Sequence, residues 1–250
     1  VRDFLLIDVS NTFTKAVRVN GRTWGRLWKA PTASLDADSL ASLARPHSPE
    51  LVVFCCVVPA MADVVRMVFP SAVSIDHLSP LGVPLDYPEP ASIGADRLAN
   101  TAGCLALGFH SAIAVDFGTA ITFDVLHPRR GFVGGVIAPG SRLLAEALHL
   151  RTAQLPLVDC RPPRRALGRS TRQAIASGVG FGAAGMVREI LDRLRREVFN
   201  GEPHTLIATG GDARFFARQV AVFDRIDPRL TLRGLLHIAR QSTLYPTRIL

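Results

Sequence analysis

Apolar and polar positions fall into two successive patterns of similar order. Phe4 to Val9 is a short apolar strand that ends in Asp8-Val9-Ser10-Asn11-Thr12. Thr14 to Val19 alternates with period two, which predicts a second strand, and Asn20-Gly21 is a strong hairpin turn. Thr23 to Lys29 supplies a third strand, and Leu35 to Ala44 is helix-like, with Asp36 and Asp38 in its first turn. Leu51 to Val58, rich in Val and Cys, reads as a buried central strand stopped by Pro59. Ala60 to Phe69 reads as a helix and Ala72 to Ile75 as a strand. Residues 78–93, with Pro80, Pro84, Pro88 and Pro90, form a loop; Gly94 to Gly108 is a helix of small residues.

The pattern then restarts. Ala112 to Val115 is an apolar strand that runs into Asp116-Phe117-Gly118-Thr119. Ile121 to Val125 and Phe132 to Ile137 follow as strands, joined by a polar turn at His127 to Gly131. Ser141 to Leu150 and Gln173 to Phe199 are helical. Thr205 to Ala208 is a strand ending in Thr209-Gly210-Gly211-Asp212-Ala213, followed by a helix, a short strand near Val222 and a closing helix from Leu235. Each half thus reads strand–strand–strand–helix–strand–helix–strand, and the first strand of each ends in a similar phrase. This predicts a duplicated α/β unit with mixed sheets, divided into residues 1–109 and 110–250.

Composition narrows the class. Hydrophobic residues make up 48% of the 250 residues and charged residues 20%, enough apolar material for a real core and against global disorder. The run Leu51 to Met61 is too short to cross a bilayer, and the N-terminal segment lacks the order of a signal peptide. The expectation is a cytoplasmic chain with no membrane partner. The net charge of +8 invites a nucleic-acid reading, but only Lys15 and Lys29 are lysines and the arginines are scattered, with modest clusters at Arg161 to Arg172 and Arg188 to Arg196. Aromatics at 7% offer little base-stacking surface, which weighs against nucleic acid and leaves an anionic small substrate compatible. Cys55, Cys56, Cys104 and Cys160 form no metal or disulfide spacing, so buried free thiols are expected.

The chemistry-bearing phrases sit at strand ends. A small-residue turn between hairpin strands lets backbone amides approach a phosphate, with Ser and Thr hydroxyls as extra donors and an Asp able to organise a cation. Two such turns from two facing halves would grip a polyphosphate from both sides, and Thr209-Gly210-Gly211 would admit a base or ribose close to the backbone. Each phrase alone is also an ordinary turn; the ordered set points to an actin-like ATPase fold.

The ordered motifs resemble type III pantothenate kinases, members of the acetate and sugar kinase, Hsp70 and actin superfamily. Asp8-Val9-Ser10-Asn11-Thr12-Phe13-Thr14-Lys15 is similar to the family's opening Asp-x-Gly-Asn-Thr-x-x-Lys. Tyr87, Pro90 and Gly94-Ala95-Asp96-Arg97 are similar to its substrate motif. Asp116-Phe117-Gly118-Thr119-Ala120-Ile121-Thr122, Gly134 to Gly140, Leu155-Pro156, Ser170-Thr171-x-x-Ala174-Ile175-x-x-Gly178, Thr209 to Ala213 and Leu230 to Leu235 continue the resemblance over nearly the whole chain.

The resemblance implies two duplicated actin-like (ribonuclease H-like) α/β domains with a cleft between them. It also implies ATP-dependent phosphorylation of pantothenate to 4′-phosphopantothenate, which opens coenzyme A synthesis. By it, Asp8, Val9, Ser10, Asn11, Thr12, Phe13, Thr14 and Lys15 form the first phosphate loop for ATP, with Thr119 contacting ATP from the second. Asp116 holds a monovalent cation, potassium or ammonium, and magnesium accompanies the nucleotide. Tyr87, Gly94, Ala95, Asp96, Arg97 and Thr171 contact pantothenate, with Asp96 as general base. It further implies a homodimer, for which the Ala/Gly-rich helix from Gln173 is either a partner-packing or an internal helix.

From the residues alone, Asp96 could be a helix-capping acid, and Arg97 either forks onto an anion or salt-bridges a neighbouring acid. Lys15 either neutralises phosphate or is a solvated strand residue, and Tyr87 either lines a pocket or covers the core. Ser10 stands where the family pattern has Gly; were φ positive there, it would be strained and its Cβ would crowd a phosphate. Two alternatives therefore stand beside the kinase: a non-catalytic regulatory or binding relative, and a kinase for another small alcohol.

Overall fold

The computed structural model describes residues 2–45, 47–159 and 165–244. Cys160 and Arg161 and Arg164 of the basic cluster lie outside the described residues. The strands are β1 (Asp3–Val9), β2 (Phe13–Asn20), β3 (Thr23–Trp24), β4 (Trp28–Pro31), β5 (Leu51–Cys56), β6 (Val73–Ser74), β7 (Ala112–Phe117), β8 (Ala120–His127), β9 (Gly131–Pro139), β10 (Thr205–Thr209) and β11 (Arg225–Ile226). The helices are α1 (Ala37–Ser42), α2 (Pro59–Val68), α3 (Ala95–Ala106), α4 (Ser141–Arg151), α5 (Thr171–Leu194), α6 (Ala213–Val220) and α7 (Leu230–Leu244). The chain forms two compact units: residues 1–110 with 128–134 and 229–250, and residues 111–127 with 135–228.

The two sheets share one topology. The first runs β3-β2-β1-β5-β6, with β4 also on β2; the second runs β9-β8-β7-β10-β11. In each, the first strand pairs antiparallel with its hairpin partner and parallel with the strand beyond the crossover. This is the duplicated mixed-sheet α/β architecture read from the sequence.

In the first unit β1 is buried along its whole length. Period two sends Phe4 and Leu6 into one core and Leu5, Ile7 and Val9 into another. β5 divides likewise, with Val53 and Cys55 on the first side and Val52 and Phe54 on the second. One core is closed by α3 and α7 (Leu98, Ala99, Ala102, Leu235, Ile238), the other by Leu40 of α1 and Val65 of α2. In the second unit Phe117 of β7 stacks on Phe216 of α6, with ring centroids 5.0 Å apart. Helix α5 buries Ile175, Val179, Ala183, Ala184, Val187 and Leu191, although its apolar stretch is long enough to cross a bilayer.

Several local expectations shift. The third strand divides into β3 and β4, because residues 25–27 leave the ladder after the Gly25 N–H donates to the Arg18 carbonyl at 2.8 Å. The late short strand is β11, not Val222, because Ala221 ends α6 in a left-handed conformation (φ 57°). The closing helix begins at Leu230, and Gly234 continues it. A Cβ there would overlap the Ala99 carbonyl, and one at Gly103 would overlap that of Leu230. The two glycines let the α3 and α7 backbones touch, so α7 belongs to the first unit and not to the C-terminal half.

Candidate active site

The first turn is built on the end of β1. Asp8 is buried and stands in register with Lys15 on β2 and Cys55 on β5. Its Oδ1 accepts the Ser10 hydroxyl at 2.9 Å and the Cys55 thiol at 3.6 Å, while Lys15 Nζ lies 3.4 Å from Oδ2. Burial pushes the Cys55 thiol well up, and the charges of Asp8 and Asp96 push it further, so it remains a neutral donor. The turn closes with the Ser10 N–H on the Phe13 carbonyl at 3.3 Å. Among the described residues only Asn200 and Ala221 are non-glycines with positive φ, so Ser10 carries no left-handed strain.

The second element of this unit is the start of α3. Asp96 is half-buried in its first turn, and the Arg97 N–H donates to its Oδ1 at 2.9 Å. Burial pushes the Asp96 carboxyl above the ordinary carboxylate range and the charge of Asp8 adds to this, against the Arg97 N–H and guanidinium. A Cβ at Gly94 would press on Asp96 Oδ1 at 2.7 Å, so glycine is what lets the carboxylate fold back over the helix start. The hydrogen bond at the helix start and the raised carboxyl thus occur in one arrangement. Arg97 is buried with its guanidinium 5.5 Å from the Phe132 ring centre.

Tyr87 lies in the Pro-rich loop, partly buried against the core that contains Phe132. The loop is pinned to residues 130–134: the Asp86 N–H donates to the Phe132 carbonyl at 2.9 Å, and Asp86 pairs with Arg130. A Cβ at Gly134 would lie 3.3 Å from the Tyr87 ring. The first unit thus brings Asp8 to Lys15 into one turn, with the charges of Asp8 and Asp96 coupled.

The turn of the second unit ends β7. Asp116 is in register with Thr122 on β8 and Thr209 on β10. Glycines shape it: a Cβ at Gly210 (φ 96°) would overlap Asp116 Oδ1 and the Phe117 backbone, and one at Gly140 would meet the Gly118 carbonyl oxygen at 2.6 Å. Gly140 donates its N–H to the Thr119 carbonyl at 3.0 Å. Carboxylate and hydroxyl oxygens are the donor types an alkali cation takes, so Asp116 with Thr122 and Thr209 fits one by chemistry. A cavity of about 760 Å³ in this unit is lined by residues including Ser141, Arg142, Glu146, Asp212, Phe215 and Phe216. Thr171 is exposed at the start of α5, after Ser170, which accepts the Gln173 N–H. Sequence reasoning missed Thr32, Cys55 and the Asp86–Arg130 pair; Cys55 comes beside Asp8 only through the parallel register of β1 with β5.

Residues 4–193 match the type III pantothenate kinase family. A type III pantothenate kinase of Akkermansia muciniphila is 42% identical over 93% of this chain and 96% of its own length. Those of Methylacidiphilum infernorum and Frankia alni are 36% and 38% identical, over 92% of this chain and 86% and 96% of theirs. A conserved Baf family protein of Campylobacter jejuni shares the fold at TM-score 0.63 and 19% identity, over 96% of this chain and 99% of that one. A ROK hexokinase of Thermus thermophilus shares it at TM-score 0.53 and 13% identity, over 97% and 99%. On these sequence matches, whose range over residues 4–193 spans the ends of β1 and β7 and the start of α3, the chain belongs to the type III pantothenate kinase family.

Proposed function

We propose that this chain transfers the γ-phosphoryl group of ATP to the primary hydroxyl of pantothenate, giving 4′-phosphopantothenate and ADP. Family membership supports the reaction, and the observation that carries the chemistry is the desolvated Asp96 carboxyl at the start of α3. The hydroxyl oxygen forms a bond to phosphorus as the bond to the ADP oxygen breaks, and the hydroxyl proton passes to Asp96. The Arg97 N–H occupies Oδ1 and aims the carboxylate. A raised carboxyl affinity for protons suits a base that must take a proton from an alcohol near neutral pH.

Asp8 to Lys15 and Thr119 contact the phosphates, and Lys15 adds positive charge. The nucleoside lies in the second unit, where the Thr209-Gly210-Gly211 turn adjoins Asp212 of the 760 Å³ cavity. Tyr87, Gly94 to Arg97 and Thr171 receive pantothenate. Asp116, with Thr122 and Thr209, holds potassium or ammonium, which when bound supplies positive charge beside the phosphates, with magnesium on the nucleotide. A second copy of the chain covers α5, whose Gly178, Gly182 and Gly185 face open space beside an apolar groove of about 500 Å³ lined by Leu144, Leu148 and Met186; a solution mass of one chain would remove that dimer. The working compartment is the cytoplasm.

The test is incubation with ATP, magnesium, potassium and pantothenate, with products identified by mass. ADP and phosphopantothenate in a potassium-dependent yield are expected. A folded protein that binds ATP without forming phosphopantothenate would overturn the reaction.

A further inference from the structure

The turn after β1 is held by residues outside the motif that names it. Thr32, in the 3-10 turn Thr32–Ser34 that follows β4, is buried. Its hydroxyl donates to the Ser10 carbonyl at 2.7 Å, and its N–H donates to the Thr12 carbonyl at 3.0 Å. Thr14 Oγ1, fully buried, lies 3.0 Å from Thr32 Oγ1. A hydroxyl has one proton, and that of Thr32 is committed to Ser10, so Thr14 is the donor in this pair. The chain Thr14 to Thr32 to the Ser10 carbonyl runs in one direction, and each bond polarises the next. From the other side the Ser10 hydroxyl donates to Asp8, whose two carboxylate oxygens are then held by Ser10, Cys55 and Lys15.

We infer that Ser10 and Thr32 are positioning residues for the nucleotide phosphates, setting the Asp8–Lys15 turn in its binding shape before ATP arrives. Two backbone carbonyls in such a turn would repel a phosphate if they faced it; Thr32 takes up both, those of Ser10 and Thr12. Ser10 removes two freedoms at once, the backbone freedom of a glycine and the rotation of the Asp8 carboxylate. The residue that departs from the family pattern is therefore a brace, not a lesion. Ordering a turn before binding lowers the entropy lost on binding, so its effect falls on nucleotide affinity. This rests on the reading that Asp8 to Lys15 receive ATP.

The experiment compares Ser10→Gly, Ser10→Ala, Thr32→Val and Thr32→Ser with the unsubstituted chain. KM for ATP and for pantothenate, kcat, calorimetric affinity for a non-hydrolysable ATP analogue with magnesium, and the thermal midpoint are measured. Ser10→Gly, Ser10→Ala and Thr32→Val are expected to weaken ATP and analogue binding about three- to ten-fold. The pantothenate KM should stay in place, and Thr32→Ser should recover most of the loss of Thr32→Val. Ser10→Gly binding the analogue as tightly as the unsubstituted chain, or tighter, would overturn the inference. So would both KM values moving together with the thermal midpoint, which marks a merely structural role. If the unsubstituted chain forms no phosphopantothenate while these variants still weaken analogue binding, the acceptor reading falls and the brace stands. If the unsubstituted chain binds no analogue, both fall.

Discussion

The two units use one topological position for two different constructions. Asp8 and Asp116 each end the first strand of a sheet, each flanked by an antiparallel neighbour and a parallel one. Around Asp8 the flanking residues are Lys15 and Cys55, and the turn is braced by the hydroxyls of Ser10, Thr14 and Thr32. Around Asp116 the flanking residues are Thr122 and Thr209, and the turn is shaped by Gly140 and Gly210, whose missing Cβ atoms let backbones meet. One turn is held by adding donors, the other by removing side chains. The counter-charge differs as well. At Asp8 the antiparallel neighbour is a lysine, whereas at Asp116 it is a threonine, and it is the resemblance to the family that puts the proposed monovalent ion at Asp116.

The largest expected effect separates the acids of the two units by role. Asp96→Asn keeps an acceptor for the Arg97 N–H but removes the base, so kcat should fall by about 10²–10⁴ while the fold persists. An Asp96→Asn variant with undiminished kcat would remove the base from the first unit. The sign of its pH dependence is fixed by the raised carboxyl. Turnover should fall with decreasing pH through a limb above the ordinary carboxylate range. A carboxyl held above its unfolded value contributes most stability when protonated and loses it as pH rises. The variant should therefore be more stable than the unsubstituted chain at neutral pH and lose that advantage below the ordinary carboxylate value, as denaturant unfolding at the two pH values would show.

Next comes the contrast between glycine-built and donor-built turns. Gly210→Ala places a Cβ against Asp116 and the Phe117 backbone at positive φ, and should destabilise the protein by about 2–4 kcal/mol. Ser10→Gly should cost no more than about 1 kcal/mol, since it meets no clash and loses one exchangeable hydrogen bond. Denaturant midpoints at constant slope measure both. Equal losses at the two sites would erase the distinction between the turns.

The counter-charge contrast sharpens through Thr122. Thr122→Val removes an oxygen from the proposed cation site without touching the first unit. The potassium concentration for half-maximal turnover should rise about three- to ten-fold, with the pantothenate KM unchanged. An unchanged potassium response would take Thr122 out of the site.

Much of this was legible along the chain, and the reason is range. The period-two runs and small-residue turns that make β1, β2, β7 and β8 are local, and Asp8, Asp96 and Asp116 sit inside motifs readable over a few residues. Thr32 and Cys55 reach Asp8 and its turn only through strand pairing, so no window around either one reveals them. Glycine misled in both directions. The closing helix was expected from Leu235, yet Gly234 lies inside it as a helix–helix contact, while the absent glycine at position 10 suggested strain where φ is not positive. What a glycine is for depends on what lies across from it.

The smallest expected effect concerns the Pro-rich loop of the first unit. Asp86 and Arg130 are both about half exposed, so water screens their pair, and Arg130→Ala should change stability by less than about 0.5 kcal/mol. The same pair pins the segment that carries Tyr87, and the Asp86 N–H bond to Phe132 holds the neighbouring backbone. Loss of Arg130 should thus leave the ATP KM alone and raise the pantothenate KM about two-fold, a mark of loop freedom rather than of a broken fold. A stability loss above 1 kcal/mol would instead make the pair part of the framework that supports Phe132. In that case the loop would belong with the glycine-built turn of the second unit, where geometry and stability cannot be separated.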